Sequence, residues 1–177
     1  MKKTLTTELV LTILFVLLGV FGFYFLSGVV KIWVLPVLIA VILLGYLVRW
    51  QFVLAASVLM PMVTALLTLN NGFSWASVII EAVTLAGIGL LVCFSYQFWK
   101  WEIHPALVFG VVFGNLLGGV AAWILNALFA MGTFNNLLSY TLSSLVNEIQ
   151  GLAVIFAFIP LLVRFVFQNM FKTAKRK

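Results

Sequence analysis

The chain alternates long apolar runs with short polar breaks, and the run lengths predict helices that cross a membrane. A helix needs roughly 20 apolar residues to cover the hydrocarbon core, or about 17–25 when tilted. Six stretches meet or approach that length, at about 8–28, 33–48, 51–69, 75–98, 105–131 and 139–168. The breaks carry turn chemistry or charge: "SGVVK", then Arg49 and Trp50, then "NNGFS", "KWEIHP" and "GTFNN". The pattern predicts an all-α integral membrane protein, a single transmembrane domain of six helices over residues 1–177.

Composition supports that reading and removes others. Of the 177 residues 65% are hydrophobic and only 8% are charged, whereas soluble domains carry about 25% charged residues. The first 25 residues have the basic tip of a signal peptide. Their apolar run exceeds the usual ~7–15 residue signal core and no A-x-A-like site closes it, so it reads as a retained first span. Cys93 is the one cysteine in the chain. It excludes an intramolecular disulfide, brings no metal-ligand cluster and reads as a packing residue, so no cofactor is expected.

The net charge of +6 reports topology rather than nucleic-acid binding, because the basic residues sit at the ends of spans. With the N-terminus inside, the cytoplasmic side collects Lys2, Lys3, Arg49, Lys100 and the cluster Lys172, Lys175, Arg176 and Lys177, and the outside only Lys31. An even number of spans with both termini cytoplasmic follows. Trp33, Trp50, Trp75, Trp99 and Trp101 fall near the expected interfaces, where amphipathic rings prefer to lie.

Orientation assigns a depth to each polar residue. Glu81 lies ~9 Å below the outer end of the fourth span, and Asn147 and Glu148 lie ~12–14 Å below that of the sixth. Asn126 is near the outer end of the fifth. All four belong to the outer half, whereas Arg49 and Arg164 are on the cytoplasmic side. A charge at the bilayer centre costs ~2.5–3.5 kcal/mol or more. A carboxylate without a partner there is protonated, open to a water-filled cavity, or paired with something outside this chain. An outward-facing binding cavity satisfies all the observations; a neutral carboxyl bonded to a neighbouring helix is the plainer reading. Asn147 shares a face with Ser143, Ser144 and Gly151 and could instead join helices. His104 reads as a surface residue of the cytoplasmic "KWEIHP" loop. Gly110, Gly114 and Gly118 recur at intervals of four, the spacing that lets two helix backbones approach closely.

Catalytic patterns are missing: H-E-x-x-H, G-x-S-x-G, a phosphate-cradling G-x-x-x-x-G-K-[ST], and aspartate of any kind. The chain is not expected to be an enzyme. Active transport would require a partner or a coupling ion to supply the work.

Two stretches, "ASVIIEAVTLAGIGLLVCF" and "SSLVNEIQG", together with six helices and minimal loops, resemble the substrate-binding S component of energy-coupling factor (ECF) vitamin transporters. The resemblance is nearest to the thiamin, hydroxymethylpyrimidine and pyridoxine type. Glu81 matches the family's ligand-facing glutamate, and Asn147 matches its ligand-contacting asparagine within V-N-x-x-x-G. Glu148 stands where the thiamin-type pattern has a small residue. The A-x-x-x-A pair that docks many S components is replaced in the first span by Gly19, Gly22, Ser27 and Gly28 at other spacings.

The resemblance implies import of a small water-soluble vitamin across the bacterial plasma membrane. The implied partners are a membrane coupling subunit and two cytoplasmic ATPase subunits. An acidic, amide-lined pocket favours a neutral or cationic heteroaromatic ligand, with Trp75, Phe134 and Tyr140 as candidates to stack on its ring. Two alternatives remain open. One is a structural subunit of a cell-wall assembly that uses the Gly110, Gly114 and Gly118 face for a partner. The other is a proton-coupled secondary transporter that uses Glu81 and Glu148.

Overall fold

A computed structural model describes residues 5–26, 35–67, 75–129 and 155–165, which are almost wholly helical and contain no strand. In chain order the helices are α1 (Leu5–Leu26), α2 (Leu35–Leu47), α3 (Trp50–Leu67), α4 (Trp75–Cys93), a π-helical turn (Phe94–Phe98) and α5 (Ile103–Phe129). A shorter helix, α6 (Ile155–Phe165), follows. Among the described residues, four spans are long and apolar enough to cross a membrane: Leu5–Phe25, Trp50–Leu67, Trp75–Phe98 and Ile103–Leu128.

Each helix's burial follows from its place in the bundle. α1 is peripheral: Glu8, Thr12, Gly19 and Phe23 form a buried seam, and Leu17, Phe21 and Phe25 are exposed. On a water-soluble protein that surface would be costly, but against acyl chains it is ordinary. α2 is the opposite case, with every described side chain from Val37 to Val48 except Ile39 buried. A helix apolar all round belongs in a core. At 13 residues α2 is only ~20 Å long, short for a bilayer, yet its neighbours shield it from lipid. α1 packs on α2 and α3, while α4 packs on α5, α3 and α2. α6 contributes Ile155, Ile159 and Val163 to the same core.

Small residues bring α4 against its neighbours. A Cβ at Gly45 would lie 2.7 Å from the Gly89 carbonyl oxygen, and one at Gly89 would meet Val41 and Val53. On α5, Gly110 abuts Val92 and Ile88, Gly114 abuts the Ile88 backbone, and Gly118 abuts Thr84. The two rows of i, i+4 residues run antiparallel. Gly19 faces Ala40 and Met60, and Gly22 faces Pro36, so these two glycines also serve packing within the chain.

One end of the bundle is closed by hydrogen bonds. The last turn of α4 widens into the π-helical turn, in which Trp99 N–H donates to the Phe94 carbonyl. Lys100, in the left-handed region at φ 59°, ends the segment much as a helix-terminating glycine would, and Trp101 N–H returns to the Ser95 carbonyl. This wider turn carries Gln97, whose Nε2 donates to the Gly45 and Val48 carbonyls at 2.9 Å each. Those carbonyls end α2 and have no intrahelical partner of their own. Tyr46 Oη donates to the Ile103 carbonyl at 2.7 Å, and Trp99, Trp101, Phe109 and Phe113 form a chain of ring contacts outside it.

Gln97→Leu removes both donors to α2, and we expect a loss of about 1–3 kcal/mol. Cys93 is fully buried and a free thiol, so the temperature at which a thiol-reactive dye labels it reads out unfolding. An unchanged midpoint would mean that Gln97 does not hold this end together.

His104 and Pro105 belong to the first turn of α5 rather than to the preceding loop. A proline is tolerated there because first-turn N–H groups lack intrahelical acceptors. His104 is exposed, as a surface residue should be.

Candidate functional site

At the end opposite Gln97, α4 carries Glu81 six residues below Trp75, a descent of ~9 Å. Three and four residues further along, Thr84 meets α5 and Leu85 is buried in the bundle. Glu81 therefore emerges beside the α4–α5 seam, on the helix face that turns inward. Its Oε1 is buried and has no hydrogen-bond partner. In a low-dielectric interior such a group is expensive to leave unmatched.

The antiparallel register locates its neighbours. Gly114 lies opposite Ile88 and Gly118 opposite Thr84, so continuing the register sets residue 121 beside Glu81. Asn126 continues the row of Gly110, Gly114, Gly118 and Ala122, and lies ~7.5 Å nearer the bundle end than Glu81. Its side-chain oxygen is buried. Asn115 lies ~9 Å to the other side; it is 1% exposed and donates from Nδ2 to the Val111 carbonyl at 2.9 Å. Asn115, Glu81 and Asn126 thus stand at successive levels of one hairpin.

Of the residues expected at a binding pocket, Glu81 and Asn126 are brought to the same end of the α4–α5 pair. Trp75 is not brought to Glu81: it is 62% exposed and lies ~120° around the helix, facing outward. Phe134, Tyr140, Asn147 and Glu148 lie outside the described residues. Gly110, Gly114 and Gly118 are covered by α4, so that face of α5 is already taken up within the chain. Among the described residues, no three His, Cys, Asp or Glu side chains gather in a group that could hold a metal ion.

Sequence reasoning missed two polar features. Asn115 is a single amide between "GVVFG" and "LLGG", and no second polar side chain three or four residues away marks it in the sequence. The other is an ion pair: Arg49 Nε lies 3.1 Å from Glu8 Oε2, with the carboxylate side chain 5% exposed and the arginine 54%. Glu8 is in the first turn of α1, where a helix N-terminus favours negative charge. The signal available was that Glu8 and Arg49 both fall at the span ends that the distribution of Lys and Arg predicts to lie on one side.

Among the described residues, four helices long and apolar enough to cross a membrane, with a carboxyl oxygen left unpartnered within one of them, define a membrane-embedded protein with a polar interior position. Compared with known proteins, the chain matches no family model, no curated protein and no solved structure.

Proposed function

We propose that this chain is the substrate-binding membrane subunit of an energy-coupling-factor-type vitamin transporter. Its ligand is a small neutral or cationic heteroaromatic molecule of the pyridoxine, hydroxymethylpyrimidine or thiamin kind. The observation that carries this reading is the buried, unpartnered oxygen of Glu81. At the other end of the bundle Gln97 and Tyr46 donate hydrogen bonds, and the buried Glu8 Oε2, which accepts none, has the Arg49 cation 3.1 Å away; Glu81 Oε1 has neither. A ligand N–H or ring cation entering beside Asn126 would meet it. In this reading six helices cross the bacterial plasma membrane with both termini in the cytoplasm. ATP hydrolysis then belongs to two cytoplasmic ATPase subunits, joined to this chain through a membrane coupling subunit.

The test is binding of a vitamin panel to purified protein, followed by Glu81→Gln and Asn126→Ala. Glu81→Gln is expected to weaken binding of the recognised vitamin at least tenfold, about 1.4 kcal/mol, without lowering the Cys93 labelling midpoint of the ligand-free protein. Binding to no member of the panel, or unchanged affinity in both variants, removes the proposal.

A further inference from the structure

Glu81 belongs to a part of the chain that has no basic counterpart. Residues 50–99 and 105–163 contain no Lys, Arg or His, and their one other carboxylate, Glu148, lies outside the described residues. The helices packed on α4 are α5, α3 and α2. α3 meets α4 where Val53 abuts Gly89, and eight residues further toward the Glu81 end both helices have advanced ~12 Å, to Pro61 and Glu81. Near that level α3 carries buried Met60 and Thr64, with the Thr64 hydroxyl turned back on the Met60 and Pro61 carbonyls. α3 has no ionisable side chain at all.

The other helices add no countercharge. On α5 the row of Gly118 and Ala122 is uncharged, and His104 is exposed ~25 Å away along the helix. The ionisable group of α2 is Tyr46, which donates to the Ile103 carbonyl at the Gln97 end. On α4 and its π-helical turn, Cys93 and Tyr96 are ~18 Å or more from Glu81. Glu8 and Arg49 pair with each other, and Arg164 is exposed. Lys31 precedes α2 and lies outside the described residues.

Removing a lone charge from water costs far more than removing a neutral acid, so a carboxyl oxygen buried without a partner belongs to a neutral group. A cation that arrives beside it reverses the balance. Carboxylate and cation then neutralise each other, and the acid proton becomes the charge that has to leave. A neutral ligand leaves that balance as it was.

Given Glu81 as the ligand-binding residue, we propose that the ligand is a monovalent organic cation that enters in exchange for the Glu81 proton. The O–H bond of the carboxyl breaks, the proton passes to water, and the carboxylate is left beside the positive ligand atom. The site is uncharged before and after binding. Because the bound state holds one proton fewer, affinity for a permanently charged ligand rises about tenfold per unit of pH.

Dicyclohexylcarbodiimide, an apolar reagent that adds to protonated carboxyls, tests the empty site in the purified full chain. Peptide mass spectrometry is expected to find the label on Glu81, and Glu81→Gln to abolish it. Two cations of fixed charge, thiamin and benzyltrimethylammonium, then compete with labelling. Protection by at least one should strengthen about tenfold per pH unit. Calorimetry in buffers of different ionisation enthalpy should count one proton released per cation bound. An unlabelled Glu81, or labelling that neither cation lowers, overturns the proposal. A label that appears only in Lys31→Gln also overturns it, by showing that Lys31 supplies the countercharge. Vitamin binding with no proton released removes the exchange and leaves the vitamin reading standing. Protection by benzyltrimethylammonium with no vitamin bound upholds the exchange and removes that reading.

Discussion

Gly114→Val is expected to be the most damaging single substitution in the described bundle, costing on the order of 3 kcal/mol or more. For a chain of this size that is a fall of roughly 6–12 °C in the Cys93 labelling midpoint. A Cβ at this position would overlap the backbone nitrogen and Cα of Ile88, and a helix backbone has no rotamer by which to withdraw. Only separation of α4 from α5 relieves the clash, and that opens the largest helix–helix contact in the fold. The other glycines should form a graded series. At Gly118 the obstacle is the Thr84 side chain, so the loss from Gly118→Ala should be partly restored by Thr84→Gly. At Gly19 the nearest atoms are Ala40 Cβ and Met60 Sδ, each at 3.2 Å; the thioether can move, and Gly19→Ala should cost less than about 1 kcal/mol. Equal losses at Gly19 and Gly114 would show that the hairpin is not packed backbone to backbone.

The second large effect is an asymmetry across the Glu8–Arg49 pair. Arg49→Gln leaves a carboxylate that is 4% exposed without its cation, and we expect a loss of about 1–3 kcal/mol. Glu8→Gln leaves only an arginine that is already half in solvent, and the loss should be well under half as large. The double variant removes both charges and should recover most of what Arg49→Gln loses. Thermal midpoints of the three proteins decide the matter: equal effects of the two single changes would mean that Glu8 is hydrated, and additive effects would mean that the pair is not coupled.

These expectations differ in how far they can be read before folding. Spacing alone marked Gly110, Gly114 and Gly118 as a close-approach face, because residues four apart always share one side of a helix. It could not name the surface they meet, and the structure places α4 there. Glu81 was recognisable as a costly residue at a given depth. Whether a neighbouring helix answers it is a property of packing, and its Oε1 is left without a partner. The pairing of Glu8 with Arg49 joins positions 41 residues apart, and no local pattern encodes which span ends become neighbours.

By itself the sequence determined that the chain is helical and embedded in a membrane, and it located α1 to α5 to within about three residues, while the sixth expected span, 139–168, is described only over 155–165. The physical reason is that backbone polar groups in hydrocarbon must be satisfied within each segment, so an apolar run of sufficient length has few alternatives to a helix. Tertiary structure decided which helix is central. α1 and α2 are both strongly apolar, yet one faces lipid and the other is enclosed. Hydrophobicity alone does not enclose a helix in a membrane, because lipid and protein interior are equally good solvents for leucine. Close packing through Gly45, Gly89 and Gly114, with hydrogen bonds from Gln97 and Tyr46, makes that choice.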